Sequence, residues 1–114
     1  MTSNNYQRGA SLERDVLQAL KVHYPLAIRS AGSHGVVDVV AVGIDHVLLV
    51  QCKRNGRLDP AEWNELWDLA QETQGIPVLA DRPPRKAIRY WMLTGPKEPG
   101  ARGRSPRVPF SIAG

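Results

Sequence analysis

Apolar residues along this chain fall into blocks whose spacing switches between helical and extended. Leu12, Val16, Ala19 and Leu20 recur at helical intervals behind Ser11, a plausible N-cap, and predict a first helix over residues 12–24 that Pro25 stops. The polar residues 1–9 ahead of it read as a loose arm. Alternation over residues 26–30 predicts a short strand, and the small residues 31–35 a loop. Residues 36–42 and 47–53 are then nearly continuous Val, Leu and Ile. They predict two strands buried on both faces, joined by a tight turn over residues 43–46. Asp59-Pro60-Ala61-Glu62 is a strong helix start, and Trp63, Leu66, Trp67 and Ala70 carry the helical spacing until Gln74-Gly75. The two tryptophans suit a core stripe or a subunit contact. Residues 76–80 and 87–93 predict two more strands, the last at a sheet edge.

The resulting order, α-β-β-β-α-β-β, describes one α/β domain over residues 1–95, a mixed central sheet flanked by helices. The third strand, second helix and fourth strand form a βαβ unit. Residues 96–114, rich in Pro, Gly and Arg, read as a basic tail that stays extended or disordered until something binds it.

Composition narrows the class. A length of 114 residues suits a single core, and the one cysteine, Cys52, excludes an intramolecular disulfide and argues against structural zinc. No apolar run is long enough to cross a bilayer and no signal-like segment opens the chain, so a soluble, cytoplasmic protein without membrane partners is expected. The net charge of +4 is segregated: residues 1–81 carry seven Lys/Arg against ten Asp/Glu, whereas residues 82–114 carry eight against one. A concentrated positive field suits a polyanion such as nucleic acid, and equally a solvated tail. Arg82, Arg85, Lys86, Arg102, Arg104 and Arg107 are the candidate phosphate contacts it supplies.

Polar side chains interrupt the two apolar strands at Asp38, Gln51 and Lys53. A carboxylate and an ammonium in such surroundings are costly unless paired, bound to metal or engaged in chemistry. Gln51 and Lys53 are two apart in a strand and share a face, while Cys52 points away. A hairpin about residues 43–44 pairs Asp38 roughly with residues near Gln51, so that acid, amide and amine can converge at one end of the sheet, and Glu13 can join from the helix packed over it, unless its acid merely favours a helix N-terminus. An acid and an amide oxygen can ligate Mg²⁺, with a lysine beside them to stabilise phosphate. A buried Asp–Lys ion pair without catalytic work is the bland alternative.

These residues resemble the PD-(D/E)xK nuclease superfamily, and more closely its archaeal-type Holliday junction resolvases, the Hjc group, with phage relatives. The match is carried by Arg8-Gly9-Ala10-Ser11-Leu12-Glu13-Arg14 on the first helix, by the serine-containing loop from Ser30 to Asp38, and by Gln51-Cys52-Lys53 as the (D/E)xK element. The resemblance implies a restriction-endonuclease-like fold and a homodimeric, Mg²⁺-dependent endonuclease, with Mn²⁺ as a substitute, that places paired nicks across four-way DNA junctions. By carry-over Glu13, Asp38 and Gln51 are metal ligands, Lys53 is the catalytic lysine, and Ser33 approaches the phosphate. Arg8, Arg14, Arg29, Ser30, Ser33, His34, Arg54 and Arg57 fall where DNA contacts are expected. Val37 stands where the superfamily has proline, and Gln51 where it has an acid, which weakens metal affinity unless Glu13 compensates. The alternatives are another nuclease of this superfamily, of restriction or repair type, and a non-catalytic DNA-binding relative.

Overall fold

The computed structural model describes residues 2–30, 35–100 and 105–113, with side chains described from residue 10 onward. Its elements are α1 (Thr2–His23), β1 (Leu26–Arg29), β2 (Val39–Val42), β3 (Val47–Cys52), α2 (Pro60–Thr73), β4 (Ile76–Asp81), β5 (Arg89–Leu93) and β6 (Arg107–Pro109). The six strands make one sheet in sequential order. Every neighbouring pair is antiparallel except β3 and β4, which α2 connects in parallel. This is the mixed α/β sheet flanked by helices that the hydrophobic pattern predicts.

Two cores follow from the alternation of side chains across the sheet. On one face Leu12, Val16, Leu20 and Tyr24 of α1 and the residue after it pack on Val39, Ala41, Leu48, Val50, Val78 and Ala80. On the other, Trp63, Leu66 and Ala70 of α2 pack on Leu49, Leu79 and Leu93. Trp63 is 1% exposed, so it is a core residue rather than an interface anchor. Asp59 caps α2 by accepting from the Glu62 amide at 2.8 Å, Pro60 occupies the first turn, and Gln74 ends the helix in the left-handed conformation.

Several boundaries differ from the sequence reading. The first helix begins at Thr2, so residues 2–9 continue it rather than forming a loose arm. Gly9 costs about 1 kcal/mol within a helix, too little to stop it. Ser11 is therefore not an N-cap, and Glu13 lies mid-helix where the macrodipole argument has no force. The second strand starts at Val39, with Asp38 in a bend that still donates its amide to Val50 O at 2.8 Å.

The basic tail also contains structure. β6 pairs with β5, so β5 is not the sheet edge. Thr94 N donates to Pro106 O at 2.8 Å and Phe110 N to Tyr90 O at 2.9 Å, and Phe110 and Ile112 pack against the α1-side core. Backbone pairing is indifferent to composition, and an edge strand tolerates Pro109. Lys97 is anchored as well, exchanging backbone bonds of 2.8 and 2.7 Å with the Asn64 side chain and placing its ammonium over the Trp63 ring.

Candidate nuclease site

The β2–β3 ladder ends at the pair Val39–Val50. Asp38 N donates to Val50 O at 2.8 Å, so Asp38 stands as an extra residue against Val50, immediately before Gln51 in β3. Asp38 Oδ2 accepts from the Cys52 amide at 2.9 Å, which fixes the carboxylate against β3. Lys53 follows immediately, its own amide bound to Ala80 O at 3.0 Å.

Gln51 is 6% exposed, and its Oε1 is a buried acceptor with no hydrogen-bond partner among the described residues. Such an atom ordinarily costs about 1–3 kcal/mol. Burial pushes the Asp38 carboxyl above its ordinary range, and the negative charge of Glu13 pushes the same way. The Cys52 amide, Lys53 and Arg29 act in the opposite sense. Glu13, Asp38, Lys53 and Arg29 thus share one electrostatic neighbourhood.

Each of the flanking charges has a partner. Glu13 Oε1 accepts from Arg29 Nε at 3.3 Å, linking α1 to β1. Lys53 Nζ lies 3.4 Å from Glu62 Oε2 on the first turn of α2. Glu62 was not among the residues singled out in the sequence, because its place three after the N-cap already accounted for it. Cys52 faces the α1-side core, and burial together with the charges of Asp38 and Glu13 drives its thiol pKa upward, so it remains a neutral thiol and no nucleophile.

Other predicted contacts divide into exposed and engaged groups. Arg14, Arg57, Arg85 and Lys86 are exposed. Arg82 Nη2 is bound to Asp15 at 2.6 Å, and Arg107 Nη1 to Gly56 O at 3.1 Å. Arg54 is half-buried, and Ser30 donates its amide to Asp38 O at 2.8 Å. Ser33, His34, Arg102, Arg104 and the side chain of Arg8 lie outside the described residues.

The donors at the β2–β3 end are oxygens, which suits a hard divalent cation. Among the described residues no group of three or more His, Cys, Asp or Glu gathers around a common point. The protein therefore offers a carboxylate and an unpartnered amide oxygen rather than a complete cage.

The chain thus combines a mixed sheet flanked by helices with an acid held against the strand that ends Gln51-Cys52-Lys53. The model of the archaeal Holliday junction resolvase (Hjc) family matches residues 4–99, and the chain belongs to that family. Membership carries Holliday junction resolution, and with it endonuclease chemistry on branched DNA and a general dependence on divalent metal. The fold is similar to a solved structure of Hjc from Archaeoglobus fulgidus, a Holliday junction resolvase from an archaeal hyperthermophile. That similarity has a TM-score of 0.66 and 24% identity, and it covers 92% of this chain and 91% of the other. A comparison with curated proteins found no match. Among the described residues, no helix is long and apolar enough to cross a membrane.

Proposed function

We propose that this chain resolves four-way DNA junctions by Mg²⁺-dependent phosphodiester hydrolysis, using Asp38, Gln51 and Lys53, and that it acts as a homodimer making paired nicks. The observation that carries the reading is the orphaned Gln51 Oε1, buried in β3 next to Cys52, whose amide holds the Asp38 carboxylate, and two residues before Lys53. A bound ion would satisfy that acceptor and offset the cost of keeping the Asp38 carboxylate where burial disfavours its charge.

When bound, the metal supplies an acidified water and charge neutralisation at phosphate. Asp38 and Gln51 would hold it, and Glu13 adds negative charge from α1 while orienting Arg29. Lys53 presents its ammonium to the non-bridging oxygens and stabilises the charge that develops as water attacks phosphorus. Glu62 keeps the ammonium extended until phosphate competes for it. The products are a 5′-phosphate and a 3′-hydroxyl, as the family resemblance implies.

A two-fold dimer presents two such sites to opposed strands of a symmetric junction. A surface for it is the open part of the sheet. α1 packs on β1, β2 and β3, whereas α2 packs on β3 and β4 on the opposite face. Beside α2, none of the described elements covers the outer strand β1, with Leu26 and Ile28 at 49% and 52% exposure. Contiguous apolar surface of this kind marks association.

The test is cleavage of a four-way junction and a matched linear duplex, with Mg²⁺ and with a chelator. Metal-dependent, symmetric nicking of the junction alone is expected. Equal cutting of both substrates makes the chain a general nuclease, and binding without cleavage in Mg²⁺ or Mn²⁺ makes it a non-catalytic relative.

A further inference from the structure

The family match ends at residue 99, yet β6, beyond it, reaches the turn that carries Lys53. Gly56 is the hub of that turn. Its amide donates to Lys53 O at 2.8 Å, its carbonyl accepts from Arg107 Nη1 at 3.1 Å, and its φ of +68° is one that residues with a Cβ rarely adopt. A Cβ at this position would collide with the Asp81 carboxylate, so the backbone of the turn lies directly against that side chain. The neighbouring Arg54 carbonyl accepts from Arg82 N at 3.3 Å, tying the same turn to the chain after β4.

Asp81 is 1% exposed, and its ion-pair hydrogen bonds come from β5, with Arg107 of β6 adding only attraction at longer range. Arg89 donates to it twice, at 3.0 and 2.7 Å, and Trp91 Nε1 lies 3.4 Å from the same carboxylate. Arg107 has a different task. Its guanidinium stacks 4.3 Å from the centre of the Trp91 ring, which sets its direction, and its hydrogen bond goes to Gly56 rather than to Asp81. Removing Arg107 therefore frees the turn while leaving the buried carboxylate paired.

We propose that Arg107 is a positioning residue for Lys53: β6 clamps the Lys53–Gly56 turn against Asp81 and Trp91 and so sets where the lysine ammonium meets the scissile phosphate. The proposal rests on the reading of Lys53 as the catalytic cation. Small misplacements of a catalytic group cost rate more than affinity, because they act on the reacting geometry.

The experiment compares Arg107→Ala, Arg107→Lys and Lys53→Ala in the full chain. Each is assayed for single-turnover junction cleavage at saturating protein and for junction affinity, with amide hydrogen exchange measured on the free protein. Arg107→Ala is expected to slow the saturated rate about tenfold with affinity unchanged. Arg107→Lys, which can still donate to Gly56 O, regains part of the rate. In Arg107→Ala the Gly56 amide exchanges faster while the β3–β4 ladder keeps its protection.

An unchanged saturated rate with weaker binding and a salt slope lower by about one makes Arg107 a phosphate contact and overturns the proposal. Faster exchange throughout the sheet overturns it too, as the mark of a residue serving stability alone. Lys53→Ala separates the two levels. Wild-type cleavage by that variant defeats the catalytic reading of Lys53, whereas an inactive Lys53→Ala beside a fully active Arg107→Ala defeats only the positioning role.

Discussion

Asp38 sets stability against chemistry within one side chain. Its carboxyl is raised above the ordinary range chiefly by burial. For an acid raised on folding, the favourable contribution is present below the unfolded pKa and is lost as pH rises through the folded one, so ionised Asp38 weakens the fold at neutral pH. Asp38→Asn, which keeps an acceptor for the Cys52 amide, is therefore predicted to raise the urea midpoint at neutral pH. Below the ordinary carboxylate range it should leave the midpoint nearly unchanged. A lower midpoint at neutral pH would contradict this. Gly56→Ala is predicted to lose about 1–3 kcal/mol in the same measurement, since it meets both a left-handed backbone and the Asp81 carboxylate. Asp38 and Lys53 were legible in the sequence because charge inside an apolar run is conspicuous. Asp81 was not, since it stands where the apolar block gives way to Arg82-Pro83-Pro84 and reads as the first residue of a turn. Only the register that pairs it with Arg89 shows it to be buried.

Among the elements, the hairpin and the βαβ unit were readable because their apolar blocks are long and their boundaries are marked by Gly, Asp and Pro. The start of α1 and the whole of β6 were not. Residues 2–9 carry no apolar stripe to announce a helix, and β6 is three residues held by backbone bonds and by Arg107 rather than by an apolar pattern. This changes what the C-terminal third can be asked to do. Deleting residues 97–114 would remove β6 and the Lys97 anchor along with the positive charge, so it would not isolate DNA binding. Arg102→Ala with Arg104→Ala removes charge and keeps β6. The pair is predicted to reduce the salt slope of junction binding by about one for each phosphate that these arginines neutralise. An unchanged slope would show that they stay clear of DNA.

For the whole molecule, the segregated positive charge is partly spent inside the fold. Arg82 is held by Asp15, Arg89 by Asp81, Arg107 by Gly56 and Trp91, and Lys97 by Leu58 O at 3.2 Å and the Trp63 ring. Arg85 and Lys86, exposed in the β4–β5 connection, remain the clearest outward cations of that region. The apolar surface is likewise not where the tryptophans suggested. Trp63 is core, and the bare side of β1 is the candidate for pairing two copies. Leu26→Arg and Ile28→Arg are predicted to shift the chain to a monomer by light scattering and to convert paired cleavage into single nicks. Dimers persisting in both variants would place the interface elsewhere.

The central claim is that Asp38, Gln51 and Lys53 form a metal-dependent hydrolytic site at the end of the β2–β3 hairpin. Single-turnover cleavage of a four-way junction by the wild type, Asp38→Asn and Lys53→Ala, with binding measured on the same samples, tests it most directly. The predicted result is that both variants bind the junction as the wild type does and cut it at least about a hundredfold more slowly. Wild-type cleavage by Asp38→Asn would contradict the account.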